Sequence, residues 1–301
     1  MTAQRNQRAM LSLEKKKSLA GFLFVVPALL FFIVFLAYPV VNAIYVSFTN
    51  WDLFSEMKFI GVGNYLELTK DSLFWKSLAV TIYFTVGTAL GIWILSLLLA
   101  LLMDFQLKFA DVFQTLDFLP AIIPLAVNSV VWLYMFRRLG LVNITLNTLF
   151  GFTLPWVRSS AWAMPSIIIV MVWTWTGYYM MIYLAGLKGT PDDLYEAARI
   201  DGASWLQYTL RITLPLLKPI FLFVSIISVM TCLQAFAPFQ LMTEGGPGDS
   251  TRVLTFKIYQ DAFFRFKMGR AAAQAMVLFV IVMAFALTQF RLLRGRSAYE
   301  N

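Results

Sequence analysis

With no histidine and a single cysteine, Cys232, in 301 residues, this chain has little with which to break bonds. It holds no ligand set for zinc or haem and no disulfide framework. An intramembrane protease would need Ser beside His or Lys, paired Asp residues at membrane depth, or a metal. No acid falls in the middle of an apolar run, so each is missing. No Gly-x-x-x-x-Gly-Lys-Ser/Thr loop is present to cradle ATP phosphates. The residue types that remain suit recognition, and they fall in two places. One is Glu196-Ala197-Ala198-Arg199-Ile200-Asp201-Gly202-Ala203, a polar island between long apolar runs. The other is a pair of polar faces inside those runs: Thr174, Gly177 and Tyr178 at helical spacing, and Ser228 and Cys232 one turn apart with Gln234 slightly rotated. Aromatic rings edged by hydroxyl and amide groups suit a sugar, whose ring has an apolar C-H face rimmed by hydroxyls. The same residues can equally serve helix packing.

The elements that must hold these residues are membrane helices. The chain is 60% hydrophobic and 13% charged, with a mean hydropathy of +0.73, far from a soluble domain. Its net charge of +8 sits mainly in tails and loops, where anionic lipid rather than nucleic acid is the expected partner. Apolar runs predict six spans: Leu19–Phe48, Ser77–Met103, Val112–Phe136, Trp162–Leu187, Pro219–Thr243 and Gly269–Phe290. The first is too long for a signal-peptide core. Gly87 and Gly91 predict close helix approach in span two. Pro120 and Pro124 predict a bend in span three, and Asp117 is expected near its cytoplasmic start, wetted. The fold class is all-α and polytopic. The basic residues divide almost evenly between the two sides and favour cytoplasmic ends only weakly, so most of the orientation comes from the Lys15-Lys16-Lys17 run beside the first span.

The polar island reads locally as two short helices broken at Gly202. Thr190 is placed to cap the first, with Pro191 and two aspartates in its opening turn. Gly202 is a natural stop. Ser204 with Gln207 forms a capping-box pattern for the second helix, which Pro215 and Pro219 end or kink.

Glu196-Ala197-Ala198, Asp201-Gly202-Ala203 and Ile212-Thr213-Leu214-Pro215, at this spacing, resemble the signature loop of permease subunits of ATP-binding-cassette importers that use a separate solute-binding protein. Phe59-Ile60-Gly61-Val62-Gly63-Asn64-Tyr65, Gly140-Leu141-Val142-Asn143 and the turn from Thr243 to Pro247 are similar to elements of the sugar-type permeases of that family. The resemblance implies a type I importer permease fold: an N-terminal tail (1–18), a six-span domain (19–290) with a cytoplasmic coupling loop (188–218), and a C-terminal tail (291–301). It implies a bacterial inner membrane location. It also implies that Glu196, Ala197, Ala198, Asp201, Gly202 and Ala203 dock on a separate ATPase, which binds ATP and Mg, with no cofactor in this chain. The implied partners are two ATPase subunits, a second and different permease chain, and an extracytoplasmic binding protein. In maltose-type permeases the sugar lies near the positions matching Thr174, Gly177, Tyr178, Ser228 and Cys232. This chain departs there, with Cys232 and Gln234 in place of amides and one fewer residue after Gly177. A glycerol-phosphate importer is the nearest alternative within the family. An ion-coupled carrier is the alternative from another class, disfavoured by the lack of buried ionisable groups.

Overall fold

A computed structural model describes residue 17 and residues 21–105 and 108–297. The expected tails therefore lie largely outside the described residues. In chain order the helices are α1 (Gly21–Ser47), α2 (Gly63–Lys70), α3 (Ser72–Met103), α4 (Ala110–Ile122), α5 (Leu125–Met135), α6 (Leu141–Phe150), α7 (Ser160–Lys188), α8 (Asp192–Ile200), α9 (Trp205–Leu216), α10 (Lys218–Leu233), α11 (Leu254–Tyr259) and α12 (Met268–Ser297). Among the described residues the only extended pairing is a bridge between Thr49 and Phe59.

Four helices, α1, α3, α7 and the Met268–Arg291 stretch of α12, are long and apolar enough to cross a membrane. Two helix pairs, α4 with α5 bent by 100° and α9 with α10 bent by 64°, bring the number to the six expected when each pair is counted as one span. Two of them differ from expectation. Span three is broken rather than bent: Pro124 has no N–H to give, and Ile123 before it is extended at ψ 133°, so the helix must stop at Ile122 and restart. Asn128 Nδ2 donates to Pro120 O at 2.9 Å and satisfies one carbonyl freed by the break. Span five starts where expected, with Lys218 and Pro219 opening α10, and α9 joins it through the bend at Leu217. α10 then ends at Leu233, and the chain unwinds before Pro238 and resumes as a π-turn over Phe239–Thr243.

Lipid gives helices no hydrophobic drive to associate, so close packing must hold them together. The α3–α7 crossing supplies it through small residues, as expected. A methyl group added at Gly91 would meet Val172 at 2.6 Å, and one at Gly87 would meet Ile168 at 2.9 Å. Gly186 of α7 gives the same close approach to Ile220 of α10. At the end of the bundle away from α8 and α9, Asn64 clamps the end of α1. Its Nδ2 donates to Ser47 O at 2.9 Å and Thr49 O at 2.7 Å, and Gly269 of α12 backs onto the Thr49 carbonyl. This gives the Phe59 to Tyr65 element a physical purpose. The rest of α1 is largely exposed.

Candidate functional site

The polar island folds as a closed hairpin. Gly202 sits at φ +74°, and Gly202 N donates to Arg199 O at 3.1 Å while Ala203 N donates to Ala198 O at 2.9 Å. That is the paired bond pattern of a Schellman stop. The second arm opens on the expected capping box: Ser204 N donates to Gln207 Oε1 at 2.7 Å, and Gln207 N to Ser204 Oγ at 3.4 Å. The arms are joined by an edge-to-face contact of Tyr195 with Tyr208, ring centroids 5.7 Å apart, and by a hydrogen bond from Thr213 Oγ1 to Tyr195 OH at 3.4 Å. Trp205 meets Phe105 beyond the end of α3 at 5.6 Å, tying the hairpin to the bundle.

Within the hairpin, two expectations change. Thr190 does not cap α8; its hydroxyl turns back to Gly186 O at 3.5 Å, and Pro191 stands at the cap position with no side-chain bond. Ala198 does not face outward: it is buried, because the Schellman stop folds the chain over it. Glu196, Ala197, Asp201 and Gly202 are exposed, Ala203 is half-buried, and Ile200 projects with 86% of its surface open. A large aliphatic side chain this bare at the tip of a polar hairpin is what a docking surface presents. Sequence reasoning passed over Ile200, although an isoleucine beside Asp201 and Gly202 was the signal.

The two polar faces meet different fates. Thr174 is buried, with its hydroxyl lacking a hydrogen-bond partner among the described residues. Ser228 is buried and accepts from Trp93 Nε1 at 2.8 Å. Cys232 is buried among Phe84, Met171 and Phe239. Gly177 is where α7 crosses α4, since any Cβ there would run into the backbone of Asp117 and Phe118. Tyr178 is half-buried and stacks with Phe118 at 6.3 Å, and Gln234 is exposed at the end of α10. The structure thus leaves Tyr178 and Gln234 at the surface of this chain and turns the other four into its packing.

The contact with Gly177 also corrects Asp117. Gly177 lies about three turns, ~16 Å at 1.5 Å per residue, inside the end of α7. Asp117 is therefore packed well along a crossing helix rather than wetted at its mouth, and its Oδ2 is buried without a hydrogen bond. Gly177→Ala is expected to force α4 and α7 apart and to cut the amount of folded protein recovered from membranes by more than Gly21→Ala, whose site is open and whose φ is not positive. Equal recovery of the two variants would show that the crossing is not tight.

At the opposite end of the bundle lies a feature the sequence did not reveal. Lys257 and Asp261, each 1% exposed, pair at 2.9 Å, and Lys257 also reaches Asp71 at 3.2 Å. Arg265 pairs with Asp261 at 2.9 Å, Arg270 pairs with Asp71, and Gln274 Nε2 donates to Asp261 Oδ2 at 2.6 Å. This knot binds the start of α3, α11 and α12. Burial opposes ionisation of Asp261, but hydrogen bonds from Lys257 and Gln274 and the charges of Lys257 and Arg265 outweigh it and hold the carboxyl below its ordinary range. Asp71 is lowered in the same way: burial opposes, and Lys257 prevails. The i,i+4 spacing of Lys257, Asp261 and Arg265 was visible, but their partner Asp71 is too far along the chain to be read.

Residues 144–293 match the family model described as the binding-protein-dependent transport system inner membrane component. The chain is 36% identical over 294 residues to the lactose transport system permease protein LacF of Rhizobium radiobacter, covering 95% of this chain and 98% of that one. It is 30% identical over 288 residues to the sn-glycerol-3-phosphate transport system permease protein UgpA of Pectobacterium atrosepticum, covering 95% and 97%. Its fold matches a chain from the crystal structure of a bacterial alginate ABC transporter in complex with an alginate pentasaccharide-bound periplasmic protein, with a TM-score of 0.83, 20% identity, and 96% and 98% of the two chains covered.

Proposed function

The chain belongs to the family of inner membrane components of binding-protein-dependent transport systems, and from that we propose that it is the permease subunit of an ATP-driven importer for a sugar or related polyol, coupled to a separate ATPase through the α8–α9 hairpin. The observation that carries the coupling role is the hairpin's construction. It is a self-braced, exposed element whose second arm, α9, passes through a bend directly into the membrane helix α10. A push on such an arm enters the bundle without being lost in a loop. Glu196 offers a carboxylate and Ile200 an apolar anchor to the ATPase cleft, and Gly202 sets the angle between the arms.

In this reading the hairpin end faces the cytoplasm, where ATP and Mg are held by two ATPase subunits, and both termini lie on that side. A second, related permease chain completes the path, and the binding protein docks at the far end. ATPase closure drives the two hairpins together and opens the cavity toward the loaded binding protein; hydrolysis returns it inward. Tyr178 and Gln234 are the path residues this chain can offer to solute. Thr174, Gly177, Ser228 and Cys232 shape the helices behind them. A neutral solute is favoured over glycerol phosphate because no Lys or Arg stands at the middle of a span.

The test is solute uptake by vesicles holding the complete complex. Uptake is expected to persist when ion gradients are collapsed and to stop when ATP or the ATPase subunit is withheld. Persistence without ATP would assign the chain to the ion-coupled class, with Asp117 as the residue to examine.

A further inference from the structure

At the end of the bundle opposite the hairpin, two adjoining clefts share Phe136 and Arg158. The larger, about 540 Å³, lies between the end of α5 (Leu133, Arg137) and the turn from Leu241 to Pro247; the smaller, about 280 Å³, is bordered by Arg138 and Asn143. Arg138 and Arg158 line the smaller cleft, and Arg137 and Arg158 the larger. Arg137, Arg138 and Arg158 are exposed, and none forms an ion pair among the described residues. One carboxylate, Glu244, stands on the opposite lip.

The walls are held firmly. Asn143 Nδ2 donates to Arg137 O at 3.2 Å and Leu154 O at 3.1 Å, while its Oδ1 accepts from Leu154 N at 3.0 Å and Trp156 Nε1 at 3.1 Å. Phe136 stacks on Trp156 at 4.7 Å, and the Arg137 guanidinium lies 4.0 Å over the Tyr134 ring. On the other lip Thr251 Oγ1 bonds both Thr243 Oγ1 and Gly246 O at 2.7 Å. Exposed arginines without an ion-pair partner among the described residues, set on a braced concave frame, suit an anion.

We propose that this cleft receives an acidic side chain of the solute-binding protein and so fixes where that protein docks. The proposal rests on the permease reading above, which supplies both the partner and the outward orientation of this end. The carboxylate is assigned to the docking protein rather than to the solute because no Lys or Arg stands deeper in the spans to take over a translocated anion. The two clefts also have only one aromatic ring, Phe136, on their walls, which is little for a sugar face to lie against.

The experiment uses the whole complex in proteoliposomes and titrates the loaded binding protein while ATP hydrolysis and uptake are followed. Arg158→Glu is expected to raise the half-saturating concentration of binding protein about tenfold or more while the rate at saturation is kept. Added salt should raise that concentration for the native complex and have little effect on the variant. Arg158→Gln should fall between, and Arg158→Lys should stay near native. Because the side chain is exposed, these variants are expected to assemble normally, checked by the recovered amount of complex. An unchanged half-saturating concentration with binding-protein-dependent transport intact overturns the docking proposal alone. A change confined to which solutes are carried, the acidic ones being lost, overturns it in favour of a solute site. Transport by the native complex that ignores the binding protein removes the permease reading, and this proposal with it.

Discussion

Gly202→Val will abolish ATP-driven uptake while leaving the protein in the membrane at close to its normal level. The residue sits at φ +74° with nothing within 4 Å of where a Cβ would stand, so the backbone angle is what a substitution there tests first. Holding a residue with a Cβ in this region costs about 1–2 kcal/mol, and a β-branched one fares worst. The hairpin escapes that cost by giving up the bonds from Gly202 N to Arg199 O and from Ala203 N to Ala198 O, and the angle between α8 and α9 is then lost. The bundle's own packing between α3, α7 and α10 is untouched, which separates transport from folding. Gly202→Asn should be much milder, since asparagine visits the left-handed region readily, and the order Gly, Asn, Val is itself the measurement. Glu196→Lys attacks the same element by charge. The carboxylate is exposed and has no partner among the described residues, so its reversal can harm only a contact made with another protein. Uptake per unit of membrane protein, measured for the three variants beside native protein, checks this. Normal uptake in the valine variant would remove the turn from the mechanism.

What could be read in advance follows from the range over which each signal acts. The hairpin's turn and second arm were legible because their determinants are local, a glycine stop and a capping box within a few positions of the bonds they make, whereas the Thr190 cap, an equally local signal, did not form. The Gly87 and Gly91 crossing was legible for the same reason, since spacing alone puts both residues on one face. Span three was only half legible. Pro120 and Pro124 announced a disturbance, but its size depended on Ile123 being extended and on Asn128 capping the freed Pro120 carbonyl. The polar face of span four misled more seriously. Gly177 lies where α4 crosses and Thr174 is buried nearby on the same helix, and no sequence pattern distinguishes a surface turned to solute from one turned to a neighbouring helix. Asp117 went astray with it, because its depth is fixed by the contact with Gly177. The ion knot at the far end was legible only in the i,i+4 spacing of Lys257, Asp261 and Arg265; its link to Asp71 is concealed by chain distance.

That knot carries the largest expected effect on stability. Lys257→Met removes the cation that faces two carboxylates, Asp261 at 2.9 Å and Asp71 at 3.2 Å, from a place where the side chain is only 1% exposed. Asp71 keeps Arg270, but Asp261 keeps only the half-exposed Arg265, a longer contact to Arg270 at 3.9 Å, and the Gln274 amide. Removing one partner of a buried pair typically costs about 3–5 kcal/mol, because the charge left behind has lost its solvent and its counterion together. Arg265→Met is the control. Arg265 pairs with the same carboxylate, but its side chain is 49% exposed, so water replaces it and the loss should stay below about 1 kcal/mol. The dependence on pH gives a second readout. Asp71 and Asp261 have folded pKa values below their unfolded values, so their contribution is complete above the unfolded value of about 3.9 and is lost as pH falls through the folded values. Native protein should therefore melt at a steady temperature from neutral pH down to about 5 and lose stability below about 4. In the methionine variant the Lys257 bond and charge that favour ionisation of Asp261 are gone, so its carboxyl takes up a proton more readily, which relieves the unpaired charge. The gap between the variant and native protein must then be widest near neutral pH and close in acid. Thermal unfolding of the detergent-solubilised protein across this range decides the matter. Equal melting of the Lys257 and Arg265 variants, or a gap that widens in acid, would mean that the cluster is not held together as its geometry indicates.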